Sequence, residues 1–117
     1  RRYPEVIVRT LALDEDSIAA YMPGVEIIIN ATSLGMGGNG IPPLPFKLLS
    51  KDHVVCDIVY KPAETPLLAS AIKKGARTVT GLGMLAHQGV LAFEIWTGLL
   101  PPIGEYRKIL AHFLNKA

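Results

Sequence analysis

Cysteine is almost missing from these 117 residues: Cys56 stands alone. A single thiol excludes an internal disulfide and fits a reducing compartment, so a cytoplasmic setting is expected. Charge of one sign is lacking too, with a net charge of only +2. No Lys/Arg cluster is dense enough for a nucleic-acid footprint, and the basic residues read as solvated surface. No apolar run approaches the roughly 20 residues that a membrane span needs, and no n-region and h-region pair marks an export signal. Neither nucleic acid nor a membrane is therefore expected as a partner. His53 and His112 have no carboxylate or cysteine at ligand spacing, so no metal site is expected. Internal repeats and low-complexity segments are absent as well.

What is present is a chain that is half apolar, with 11 Gly and 9 Pro. That is enough for one globular domain, or a piece of one, with a core. Residues 5–11, Glu-Val-Ile-Val-Arg-Thr-Leu, are rich in β-branched residues and read as a strand. Asp14 to Ser17 supplies a cap and first-turn acids for a short helix that Pro23-Gly24 stops. Residues 25–29 and 54–59 read as further strands, and their apolar runs without alternation predict a sheet covered on both faces. Between them, residues 37–45 are too rich in Gly and Pro to continue a sheet, and Phe46 to Leu49 predicts one helical turn. Thr65-Pro66 marks a helix start, with Gly75 closing that helix after two lysines. A short strand at residues 77–80 leads into a glycine-rich turn and a helix over residues 81–98. That helix carries Met84, Leu85, Leu91, Phe93, Ile95 and Trp96 on more than one face, and so is expected to be mostly buried. After Pro101-Pro102, Ile103, Tyr106, Ile109, Leu110, Phe113 and Leu114 form the apolar stripe of a terminal helix.

Strands alternating with helices predict an α/β fold with a parallel sheet. In such sheets ligands bind beyond the carboxyl ends of the strands. Three polar or glycine-rich loops are expected to meet there: Asn30 to Gly35, Tyr60-Lys61, and Gly81 to Gly83. Gln88 interrupts an otherwise apolar helix and needs a polar partner, from the chain or from a ligand. Asp57 ends an apolar strand and is read as structural, satisfying nearby backbone N–H groups. Cys56, inside the same strand, is read as a small core residue. His87 neighbours Gln88 on the helix and points about 100° away from it, so it is assigned to surface or core rather than to a general-base role.

Three blocks carry a family resemblance. They are Ile29-Asn30-Ala31-Thr32-Ser33-Leu34-Gly35-Met36; Asp57-Ile58-Val59-Tyr60 with Thr65-Pro66-Leu67-Leu68; and Gly81-Leu82-Gly83-Met84-Leu85 with Gln88, Phe93, Trp96 and Gly98. Together, and in this order, they resemble the shikimate dehydrogenase family over residues 25–98. The resemblance implies a partial Rossmann-like, doubly wound sheet with flanking helices, truncated in its N-terminal half. Residues 1–117 then correspond to the C-terminal portion of a dinucleotide-binding domain, with NADP as cofactor and the substrate domain outside this stretch. It implies the reversible reduction of 3-dehydroshikimate to shikimate in aromatic amino-acid biosynthesis. The family's catalytic Lys and Asp, its pyrophosphate turn and its Asn-Arg-Thr grip on the 2′-phosphate have no counterpart here. Val8-Arg9-Thr10 lies too close to Asn30 to take the last role. No catalytic residue is assigned within these residues, and weak or no NADP binding, without turnover, is expected of this piece alone.

The resemblance further implies that Ile58 and Gly81 touch the nicotinamide end through their backbones. Thr32 and Ser33 would line the cofactor groove beside the adenosine, and Met84 would pack near the nicotinamide. Tyr60 and Gln88 would reach the substrate's carboxylate and hydroxyl groups. A quinate/shikimate dehydrogenase relative using NAD, and a non-catalytic α/β assembly module, remain the alternatives. In the parent strand order 3-2-1-4-5-6, the strand at residues 25–29 keeps a bare edge. Either residues 5–11 or a second copy is expected to cover it, the latter giving a homo-oligomer.

Overall fold

Three short runs build the sheet, and the first two are followed by loops rich in glycine or polar residues. The third passes through Thr80 straight into a helix, so Gly81 to Gly83, expected as a turn, form that helix's first turn. The structure, a computed structural model, describes residues 5–116. Strands β1 (Ile27–Asn30), β2 (Val54–Asp57) and β3 (Arg77–Val79) pair in parallel in the order β1-β2-β3. Ile28 stands beside Val55 and Val55 beside Thr78, while Asn30 stands beside Asp57. This order matches the fourth, fifth and sixth strands of a doubly wound sheet, and β1 lies at an edge.

Local signals set the helices. Helix α1 (Glu15–Ala19) is capped by Asp14, whose side chain accepts from the Ser17 amide at 2.8 Å and from the Ser17 hydroxyl at 2.9 Å. These bonds hold the Asp14 carboxyl below its ordinary range. Helix α2 (Pro66–Lys73) starts at the Thr65 cap with Pro at its first position. Helix α3 (Gly81–Thr97) ends at Gly98 in the left-handed region, and α4 (Ile103–Lys116) follows the proline pair. Short 3-10 turns occupy Met36–Gly38 and Phe46–Leu48.

The core lies on one face of the sheet. There Val55 packs with Leu67, Leu68 and Ala71 of α2, and Met22, Leu44 and Leu49 close the cluster. On the other face Ile27, Ile29 and Val79 stay at least half exposed, so the expectation of a sheet covered on both sides is corrected. The unbroken apolar run recorded a surface made for burial, yet no element of the described chain covers it.

Two further expectations change. Residues 5–11 form no strand: Ile7 and Val8 are about four-fifths exposed. A β-branched run becomes a strand only where a neighbour accepts its backbone hydrogen bonds, and none lies beside it. It therefore does not cover the β1 edge. Helix α3 is not mostly buried either. Only Gly81, Ala86 and Val90 are, whereas Ile95 and Trp96 are 82% and 81% exposed. The helix packs against α4, where Gly89 leaves room for the Tyr106 ring, and its second half faces solvent. The total accessible surface of 8354 Å² reflects this openness. A compact protein of 12.6 kDa exposes about 6200 Å².

Candidate functional site

Parallel pairing brings the ends of all three strands to one edge, and a buried polar network ties two of them together. Asn30 closes β1 and Asp57 closes β2, side by side. The Asn30 Nδ2 donates to Asp57 Oδ1 at 3.0 Å and to the Leu34 carbonyl at 3.0 Å. The same Asp57 oxygen accepts from the Val59 amide at 3.0 Å, and Oδ2 accepts from the Thr65 hydroxyl at 2.6 Å. The Thr65 oxygen in turn accepts from the Leu68 amide at 3.3 Å, capping α2. Asp57 is 2% exposed and Thr65 is fully buried. Four hydrogen bonds to a buried acid and amide satisfy the groups that burial would otherwise penalise. Asp57 therefore has the structural role read from its position.

The network shapes the loop after β1. Asn30 Oδ1 accepts from the Thr32 amide at 3.1 Å and the Thr32 hydroxyl at 2.7 Å, and that hydroxyl accepts from the Leu34 amide at 3.2 Å. Above this loop opens a cleft of about 520 Å³. Thr32, Ile58, Val59, Tyr60, Lys61 and Met84 line it, with Met36 and Gly37 at one side. A second hollow of about 480 Å³ adjoins it, sharing Gly37, Tyr60 and Lys61 and closed by Leu82, Ala111 and Leu114. Lys61 is the sole charged residue lining either among the described residues. Its carbonyl accepts from the Gly37 amide at 3.0 Å, which joins the two loops.

Gly81 makes the third side possible. A Cβ on it would collide with the Ile58 carbonyl and sit 2.9 Å from the Val59 carbonyl oxygen. Only glycine lets α3 begin this close to the end of β2. Among the described residues no N–H or hydroxyl donates to the Ile58 carbonyl, which is left as an open acceptor beside the cleft. A larger hollow of about 870 Å³ lies at the opposite edge of the sheet, among Met22, His53 and Arg77, away from these loops.

The comparisons with known proteins fall on the same residues. The family model for the shikimate 5'-dehydrogenase C-terminal domain matches residues 81–110. A shikimate dehydrogenase (NADP(+)) of Desulforamulus reducens is 43% identical over 91 residues, which is 76% of this chain and 31% of that protein. Over about three quarters of its length the chain is similar to members of the shikimate dehydrogenase family. It spans about a third of the length of the curated relatives it matches. A crystal structure of shikimate dehydrogenase in complex with NADP+ superposes with a TM-score of 0.74 at 43% identity, covering 80% of this chain and 33% of that one. Quinate dehydrogenase from Corynebacterium glutamicum in complex with NAD superposes with a TM-score of 0.75 at 35% identity, covering 83% and 34%.

Against this family background the sequence-derived site divides. Thr32, Ile58, Tyr60 and Met84 meet in one cleft, and Gly81 abuts it. Ser33 is exposed and outside the cleft, its carbonyl accepting from the Met36 amide at 3.2 Å. Gln88 is exposed, one turn beyond Met84 on the same face of α3. His87 donates Nδ1–H to the Gly83 carbonyl at 2.7 Å on the exposed side of the helix. The missing side chain of Gly81 makes room for the chain's own Ile58–Val59 backbone. Sequence reading placed the Tyr60-Lys61 loop at this edge but missed Met36 and Gly37 as cleft residues. The Gly-rich run at residues 35–40 was the available signal, since a loop that folds back over a strand end needs positive φ, as at Gly37 with φ 63°.

Proposed function

We propose that this chain forms the nicotinamide-side part of the cofactor domain of an NADP-dependent shikimate dehydrogenase, which interconverts 3-dehydroshikimate and shikimate. The observation that carries this reading is the cleft at the carboxyl edge, where Thr32, Ile58, Tyr60 and Met84 converge beside a carbonyl that accepts no hydrogen bond from the described residues. Its lining suits the group. Ile58 and Met84 give apolar contact for a flat ring, and the Ile58 carbonyl is an acceptor for a carboxamide N–H. When bound, the nicotinamide exchanges a hydride with the substrate carbonyl carbon. This chain's residues bind and orient. The Asn30-held Thr32 forms the floor, Met84 shields the ring from water, and Tyr60 and Gln88 offer a hydroxyl and an amide to a polyhydroxylated acid. Ser33 stands at the outer end of the groove.

Residues 1–117 then belong to the C-terminal portion of a dinucleotide-binding domain, with the substrate domain outside them. The open β1 edge supports pairing with a second copy, and the lone Cys56 supports a cytoplasmic setting. A quinate dehydrogenase using NAD is the second reading, supported by the likeness to the Corynebacterium glutamicum enzyme. Crystals of the chain soaked with NADP test the first. The expected result is nicotinamide density bounded by Thr32, Ile58 and Met84. Density at the His53 edge, or none, overturns it, and equal occupancy by NAD favours the second reading.

A further inference from the structure

We infer that Asp57 is a positioning residue that aims the Ile58 carbonyl at the ligand in the cleft; this rests on the cofactor reading above. The peptide unit between Ile58 and Val59 is planar, with its N–H and C=O pointing in opposite directions. Its N–H side is fixed from below, because the Val59 amide donates to Asp57 Oδ1 at 3.0 Å. The carboxylate cannot swing away, since Oδ1 also takes Asn30 Nδ2 and Oδ2 takes the Thr65 hydroxyl at 2.6 Å. Burial of Asp57 to 2% exposure keeps water from competing for these bonds. The opposite side of the plane is the Ile58 carbonyl, which stands against Gly81 at the cleft and accepts no hydrogen bond from the described residues.

A carbonyl held in place without a donor of its own is a recognition element waiting for a ligand N–H. The donor that fits is a planar primary carboxamide, whose ring lies against Ile58 and Met84. Asp57 never touches the ligand in this scheme. It acts through one rigid peptide plane, and Thr65 links that plane to the start of α2.

The test uses the whole chain, with nicotinamide mononucleotide as the probe and amide chemical shifts as the readout. Asp57→Asn keeps the shape but replaces charge-assisted bonds with weaker ones and turns an NH2 group toward Thr65. It is expected to weaken probe binding roughly three- to tenfold under conditions where the variant is fully folded, and to shift the Ile58 carbonyl carbon and Val59 amide resonances. Thr65→Ser, which keeps the hydroxyl, should bind within about twofold of the parent chain. If Asp57→Asn does not fold, Thr65→Val is the deciding variant, with a loss of about two- to threefold expected. Unchanged affinity in the deciding variant, with the parent chain binding normally, overturns the positioning role and leaves the cofactor reading intact. Failure of the parent chain to bind the probe overturns both.

Discussion

The carboxyl edge of the sheet and the paired helices α3 and α4 are built on opposite plans. At the edge, Asn30, Asp57 and Thr65 are almost fully buried, and every side-chain polar atom of theirs finds a partner among the described residues. Along the second half of α3, Ile95 and Trp96 are left to solvent. A polar cluster holds its shape from within because hydrogen bonds are directional and saturate. An apolar helix face keeps its value only when something covers it. The difference separates what the chain forms unaided from what it presents to another surface.

Substitutions that break the buried network should have the largest effect. Asp57→Ala removes an acceptor from Asn30 Nδ2, the Val59 amide and the Thr65 hydroxyl at once, so urea denaturation should show a loss of about 3–5 kcal/mol. Next come the glycines, which set the two regions side by side on one helix. Gly81→Ala drives a methyl group into the Ile58 carbonyl and should cost about 1–3 kcal/mol. Gly83→Ala, with nothing within 4 Å of the added carbon, should be neutral or stabilise the helix by up to about 1 kcal/mol. Equal effects at the two positions would break the contrast between the packed start of α3 and its open side.

Substitution of the exposed face should barely affect unfolding. Trp96→Gln is expected to change stability by less than about 0.5 kcal/mol while reducing self-association in light scattering. A large loss of stability there would mean that α3 is buried in solution. The smallest effect belongs to Asp14. Its carboxyl is held below the ordinary range by Ser17, so its contribution is complete above the unfolded value near 3.8 and disappears as pH falls through the lower folded value. The Ser17 amide shift, followed from pH 6 downward, should lose its cap signature only in that acid window, with the β2 resonances unmoved.

Much of the fold was legible because its signals are local. Asp14 and Thr65-Pro66 announce helix starts within four residues, and the β-branched runs at β1 and β2 lie where strands form. The segment at residues 5–11 has the same composition and forms no strand, since pairing is decided by a neighbour that local sequence does not encode. Strand β2 stops at Asp57 instead of continuing to residue 59 because the Asp57 side chain takes the Val59 amide away from the ladder. The apolar residues around α3 correctly mark a surface suited to burial, but a count of apolar positions does not say which molecule supplies the cover. At the site, the motif residues Thr32, Ile58, Tyr60 and Met84 could be read from the sequence. The bond from Asn30 to Asp57, which shapes their cleft, spans 27 positions and could not.

The central claim is that the cleft at the carboxyl edge is the ligand seat and is already shaped in this chain. Amide chemical-shift mapping during titration with NADP tests it most directly. The predicted result is saturable movement of the Thr32, Ile58, Val59, Gly81 and Met84 resonances while those of Met22, His53 and Arg77 stay still. Movement confined to the His53 edge, or none at all, would contradict it.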